Sequence, residues 1–261
     1  MRKKNVFNMV LFSTFASIIL LMGLIPELGF ITFIPGISSI TIVHIPVLIG
    51  VMLLPLGYSM MLGLMFGLSS WIASFMYAKT AFDYAFQNPL VSVVPRILFA
   101  VAAFFVVRGL IELSKRFKHG NIITFILITI ISSIFMFFAG KGLIEVTGWK
   151  ALWVYLATGL LLVALLGLYL FYLLKRKDKK LFYVPSSFIL STLLHTLLVL
   201  TMVAIFKPVA YGENADIMGI ILMILGANGM IEALAAILIG TPIVFALMNL
   251  IDRKEDYETI V

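Results

Sequence analysis

No cysteine occurs among the 261 residues. That absence removes disulfides, thiolate zinc sites, iron–sulfur clusters and c-type haem attachment. Charge is scarce: 12% of residues are Asp, Glu, Lys or Arg, against about 25% in an average soluble domain. The P-loop pattern G-x-x-x-x-G-K-[ST] is missing, so the chain carries no recognisable nucleotide engine. A His-Glu-x-x-His pattern is also missing, which argues against a zinc protease. There are no long polar linkers and no visible repeats. What fills the chain instead is apolar: 62% of residues are hydrophobic. A membrane-crossing helix takes ~20 mostly apolar residues, so this share suffices for roughly eight of them. Such a composition excludes a soluble globular domain and a disordered chain.

Met1–Lys4 precedes an apolar run from Val6 to Ile25. The run is longer than a signal-peptide core and has no small-residue cleavage site, so it reads as a retained first helix. Further spans are expected at 40–56, 57–77, 90–113, 121–139, 150–174, 183–206 and 218–250. A turn at Pro55-Leu56-Gly57 separates the first two of these. The last run is too long for one span, and Gly226, Gly229 and Thr241-Pro242 suggest a turn or short helix before its main part. The expected fold is an all-α polytopic membrane protein, one integral domain over 1–261. Eight spans put both termini on one side of the membrane. Of the 19 Lys and Arg residues, 14 fall on that side and 4 on the other, with Arg96 left inside a span. Both termini are therefore expected in the cytoplasm. Lys175–Lys180 reads as a topology anchor resting on anionic membrane lipid. Its position between apolar runs argues against nucleic acid as a partner, despite a net charge of +7.

An ionisable side chain in a span costs ~2.5–3.5 kcal/mol or more, so each needs a reason. Arg96 lies near the outer end of the 90–113 run. Asn88, Ser92 and Arg96 are spaced i, i+4, i+8 and would share a helix face, with Pro95 expected to kink the helix. A guanidinium is a planar fork suited to carboxylate or phosphate. Two readings stand for Arg96: a substrate anchor, or an ion pair with Glu232. Asn228 and Glu232 also share a face, beside the small residues Gly229, Ala233, Ala236 and Gly240. This polar pair either binds substrate or bridges to a neighbouring helix. His195 follows Ser187 and Ser191 at four-residue spacing. His44 and His119 lie far from it in sequence, which argues against a three-histidine metal site. Catalysis would need an acid partner for His195, and only Glu232 is at hand.

Ser59, Gly63, Gly67, Ser70 and Ser74 form a small-residue stripe that reads as bundle packing. Ser13 and Ser17 make a small-xxx-small pair on the first helix. Trp71, Tyr77, Phe82, Tyr84 and Phe86 read as interfacial aromatics. Glu27–Ser39 is an unusually apolar outer loop, suited to covering a pocket.

Four stretches carry a family resemblance. His44-Ile-Pro-Val-Leu-Ile-Gly50 with Leu56-Gly57-Tyr58 and Leu62–Ser70, then Asn88-Pro-Leu-Val-Ser-Val-Val-Pro-Arg96, then Thr192-Leu-Leu-His-Thr196, then Asn228-Gly-Met-Ile-Glu-Ala233 through Gly240-Thr-Pro-Ile243, resemble the substrate-binding S components of energy-coupling factor (ECF) vitamin transporters. The resemblance covers 6–114, as core helices one to four, and 183–250, as core helices five and six. Residues 121–174 depart from it as an inserted transmembrane hairpin, giving a six-helix S-component-like core plus two spans. The resemblance implies a subunit of the bacterial cell membrane, not an enzyme, that captures a vitamin outside the cell. It would dock on a membrane coupling (T) subunit driven by two ATPase subunits. The family's first-helix docking motif is similar to Ala-xxx-Ala, and Ser13, Ala16 and Ser17 stand in its place. The family's ligand site would collect Arg96, His195, Asn228 and Glu232, with Asn88 and Ser92 beside them. The Asn88–Arg96 stretch looks most like the pantothenate group, and an arginine suits that carboxylate. Folate, pyridoxine and hydroxymethylpyrimidine are alternatives within the family. An ion-coupled secondary transporter and a membrane enzyme are alternatives outside it.

Overall fold

The computed structural model describes residues 2–31, 40–117, 119–175, 182–212 and 215–260. Most of the loop Glu27–Ser39 and of the cluster Lys175–Lys180 lies outside the described residues. In chain order come α1 (Arg2–Leu24), α2 (Pro26–Gly29), β1 (Phe30–Ile31), β2 (Ile40–Thr41), α3 (His44–Leu53), α4 (Leu56–Tyr77), α5 (Ala81–Ala85), α6 (Pro89–Ser92), α7 (Val94–Arg116), α8 (Gly120–Thr147), α9 (Ala151–Lys175), α10 (Tyr183–Phe206) and α11 (Ile217–Ile260). A 3-10 turn, Pro208–Tyr211, joins the last two. Seven helices among the described residues are long and apolar enough to cross a membrane. The architecture is that of an all-α polytopic membrane protein.

The run 40–56 departs from the expected full-length span. Its helix, α3, has only 10 residues, about 15 Å of rise. The β-branched run Ile40-Thr41-Ile42-Val43 before it favours extended backbone, and β2 pairs antiparallel with β1, Phe30 opposite Thr41. Leu54 and Pro55 are extended and end the helix. Yet the chain still has to run back here. Phe12 of α1 meets Tyr58 of α4, and Gly23 of α1 abuts Ser69 of α4. The two contacts are equally spaced on both helices, so α1 and α4 run parallel, and the segment between them must travel back. The two strand residues Ile40–Thr41 and the ten helical ones reach roughly 22 Å, short of the ~30 Å of a bilayer's hydrocarbon core. Extended backbone is tolerated at that depth only inside protein. Here His44–Val51 are all buried, and α3 is surrounded by α1, α4, α7, α10 and α11.

The 90–113 run is interrupted where Pro95 was expected to kink it. It opens with α6, breaks at Val93, and restarts as α7 with Pro95 in the first turn. A first-turn proline forfeits no helical hydrogen bond, because that N–H would have no partner. Conversely, the expected turn before the main part of the last span is absent: α11 is continuous through Gly226, Gly229 and Pro242. The glycines serve packing. Gly226 lies on the Phe135 backbone and Ala139 of α8, and Gly229 faces Leu193 of α10.

Gly63 and Gly67 bring α4 onto the start of α7. A Cβ at Gly63 would lie 2.6 Å from the Arg96 carbonyl oxygen, and one at Gly67 would lie 2.7 Å from the Val93 Cα. This stripe therefore sets the position of the Arg96 backbone. The pair α8–α9 is unequal. α8 seats against α11 and ends at Gly148, whose φ of +67° suits glycine. α9 turns Leu152, Leu160, Val163 and Leu174 outward, and holds on through Tyr169, whose Oη lies 2.8 Å from Ser186 Oγ.

Candidate functional site

A cavity of about 290 Å³ lies at the end of the bundle where α4 and α10 finish and α7 and α11 start. Exposed Glu27 and Lys79 stand at its mouth, with Tyr77, Phe82, Asp83 and Phe86 around them. Buried Arg96, His195, Asn228 and Glu232 line its inner part. Four expected site residues, drawn from three helices, thus meet in one place. The other two do not. Asn88 caps α6, its Oδ1 accepting the Leu90 N–H at 3.0 Å. Ser92 is buried and donates to the Phe86 carbonyl oxygen. Neither lines the cavity. Ser92 and Arg96 are both buried, but the Ser92 hydroxyl turns back to Phe86 while Arg96 reaches the cavity.

Arg96 is 4% exposed. Its Nη1 donates to the Val91 carbonyl oxygen at 2.7 Å. Its guanidinium carbon stands 4.9 Å from the Phe86 ring centroid and 5.5 Å from that of Phe66. Two aromatic faces thus favour the cation, and one backbone bond orients it. Its Nε has no partner. Arg96 and Glu232 line the same cavity but form no ion pair.

Glu232 is committed to the backbone. Oε1 accepts the Thr41 N–H at 2.6 Å, and Oε2 accepts the Thr196 hydroxyl at 2.9 Å. The carboxylate therefore ties β2 to α10 and α11 across the middle of the bundle. Of the two readings of the Asn228–Glu232 pair, bridging is realised for Glu232, and the same residue also faces the cavity.

His44, set aside at the sequence level as remote, stacks on His195 with ring centroids 5.4 Å apart. Its Nδ1 lies 2.8 Å from the Thr41 carbonyl oxygen and its Nε2 3.0 Å from Thr192 Oγ1, so both nitrogens are engaged. His195 is the opposite case. It is 3% exposed, and neither ring nitrogen has a partner. Phe99 and Phe66 pack around it.

Three aromatics expected at the membrane interface, Tyr77, Phe82 and Phe86, form cavity wall instead. Trp71 Nε1 donates to the Gln87 carbonyl oxygen at 2.9 Å and fixes the loop that carries them. Thr80 and Asp83 form a reciprocal cap on α5. Phe82 stacks edgewise on Tyr211, whose Oη donates to the Leu200 carbonyl oxygen at 2.7 Å. Burial pushes the Tyr211 phenol above its ordinary pKa, which keeps it a donor. Thr41, Thr196 and His44 are the site residues that the sequence reading missed. Among the three expected docking residues of α1, Ser13 and Ser17 are exposed and Ala16 is buried in the core. Ala16 is thus not part of any outward docking surface.

The chain matches no protein-family model and no curated protein.

Proposed function

We propose that the chain is the substrate-capture subunit of an ATP-driven ECF vitamin transporter, with pantothenate as its ligand. The observation that carries this reading is the buried Arg96, clamped between two phenylalanines at the inner part of a cavity that opens at one end of the bundle. A water's share of liquid volume is ~30 Å³, so the cavity suits a solute of roughly ten to fifteen non-hydrogen atoms. That size accommodates pantothenate and is small for folate. The ligand's carboxylate pairs with Arg96, while its hydroxyl and amide groups meet His195, Asn228 and Glu232. No residue of α8 or α9 lines the cavity, in keeping with a six-helix capture core plus an added hairpin. In this reading the segment 40–54 is the eighth crossing, both termini are cytoplasmic, and the cavity faces outward. The coupling subunit docks on α1 at Ser13 and Ser17, and two ATPases supply the energy.

Calorimetric titration of the purified chain with pantothenate, without ATP, tests the ligand. Saturable one-to-one binding that weakens sharply in Arg96→Ala is expected; no heat with pantothenate at millimolar concentration overturns it. A second reading rests on the interrupted crossing at 40–54. Discontinuous spans around a midplane carboxylate are a device of ion-coupled secondary transporters. That reading requires uptake by the chain alone under a sodium or proton gradient.

A further inference from the structure

Helix α4 carries four serines, and three of them return the hydroxyl proton to their own helix. Ser59 donates to the Pro55 carbonyl oxygen, Ser69 to that of Phe66 and Ser74 to that of Trp71. This is the ordinary solution for a hydroxyl on an apolar helix. Ser70 does not adopt it, and its hydroxyl has no partner among the described residues. The residue is 6% exposed and lines the cavity. The unpartnered hydroxyls of Ser132, Ser187 and Ser191 are sealed from solvent, and that of Ser70 is not. A buried hydroxyl that is unpaired yet reachable is a donor held for what enters the cavity.

Its place in the fold identifies the group it would meet. Gly63, Gly67 and Ser70 follow at four- and three-residue spacing and share a face of α4. On that face lie α6 and α7. A Cβ at Gly63 would meet the Arg96 carbonyl oxygen and Ala100, and one at Gly67 would meet Val93 Cα and the Ser92 carbonyl oxygen. Residue numbers fall on α7 as they rise on α4, so the two run antiparallel. Continuing that register outward brings Ser70 about level with Val91. The Val91 carbonyl oxygen is the acceptor of Arg96 Nη1, so the guanidinium is folded back to the same level. Phe66, one turn before Ser70 on the same helix, has its ring centroid 5.5 Å from the guanidinium carbon.

The guanidinium fork is itself partly spent. Nη1 is committed to Val91, and Nε is sealed from solvent. A carboxylate has two oxygens to satisfy, and ionised acceptors form the stronger hydrogen bonds. A further donor beside Arg96 is therefore needed, and Ser70 is a free one on the same cavity wall.

We propose that Ser70 completes the carboxylate subsite: Arg96 holds one oxygen of the solute's carboxylate and the Ser70 hydroxyl donates to the other. The inference rests on the reading of Arg96 as the anchor of a carboxylate solute.

Calorimetry with pantothenate on the full chain is the first arm of the test. Ser70→Ala removes a hydroxyl that serves no other residue, so its thermal midpoint should match the wild type. Its affinity should fall roughly ten- to hundredfold. Ser74→Ala, on the same wall but with its hydroxyl spent on Trp71, should keep wild-type affinity. Wild-type binding matched by Ser70→Ala overturns the Ser70 contact and leaves the pantothenate reading intact. No heat with the wild type overturns the pantothenate reading, and a second arm without pantothenate then decides on Ser70. Because the chain lacks cysteine, S70C carries a single thiol. In detergent micelles it is treated with sulfonatoethyl methanethiosulfonate, an anion, and with the trimethylammonioethyl reagent, a cation. The anionic-to-cationic rate ratio should drop at least about tenfold when Arg96→Gln is added. The ratio at A78C, nearer the mouth, should stay the same. An unreactive thiol in S70C of wild-type thermal midpoint, or a ratio that Arg96→Gln leaves unchanged, overturns the subsite whatever solute the cavity takes.

Discussion

Arg96 and Glu232 are both buried charges in one cavity, but they are held by opposite strategies. Arg96 commits one donor to Val91 and keeps others in reserve between two rings. Glu232 commits both oxygens. Replacing Arg96 by Lys keeps the charge and loses the planar fork. A hydrogen bond to a charged group contributes ~1.5–3 kcal/mol. Arg96→Lys should therefore bind pantothenate roughly ten- to hundredfold more weakly by calorimetry, with the folded state retained by circular dichroism. Glu232→Ala strands the Thr41 N–H, which costs ~1–3 kcal/mol. Its thermal midpoint should fall, while Glu232→Gln, which keeps an acceptor for Thr41, should lose much less. Equal midpoints for the two variants would show that the Thr41 clamp contributes nothing. At this scale the sequence was informative where membrane cost isolates a residue. Arg96, His195, Asn228 and Glu232 are polar groups in apolar runs, and all four converge. It misled where local backbone decides: Asn88 caps α6, and the Ser92 hydroxyl is spent on the Phe86 carbonyl. His44 and Thr41 were invisible because their partners lie across the fold, at Thr192 and Glu232.

Elements place these residues through close helix approach. Gly63 is the case nearest the site, with the Arg96 carbonyl and Ala100 beneath it. Over-packing of this kind costs ~1–3 kcal/mol. Gly63→Ala should lower the thermal midpoint and also weaken ligand binding, since it pushes the start of α7. A stability loss with unchanged affinity would separate Gly63 from the site. The α8–α9 hairpin is a milder case. Excision between Lys118 and Lys177 removes no cavity residue, so binding should stay measurable. Stability should drop, because Gly226 and Met223 of α11 lose Phe135, Ala139 and Gly142 of α8. A folded excision product without binding would make the hairpin part of the site. Long apolar runs made the other spans legible. The segment 40–56 was not, because hydropathy counts residues and is blind to whether they are extended or helical. The β-branched residues 40–43 hold the missing signal.

For the whole molecule, two features define what the chain can do. It has a cavity for a small solute at one end of the bundle, and its sequence offers no nucleotide-binding pattern. On the proposed reading, capture and energy input belong to different subunits. Ser13 and Ser17 are exposed on α1, so replacing both with Leu leaves the core undisturbed and blocks close approach of a partner helix. The double variant should keep pantothenate binding and lose ATP-driven uptake. The most direct test of the separation is radiolabelled pantothenate uptake into proteoliposomes, with the chain alone and with the coupling subunit and both ATPases. Accumulation should require all subunits and ATP, and be absent for the chain alone under sodium or proton gradients. Concentrative uptake by the chain alone would contradict the account and establish the secondary transporter in its place.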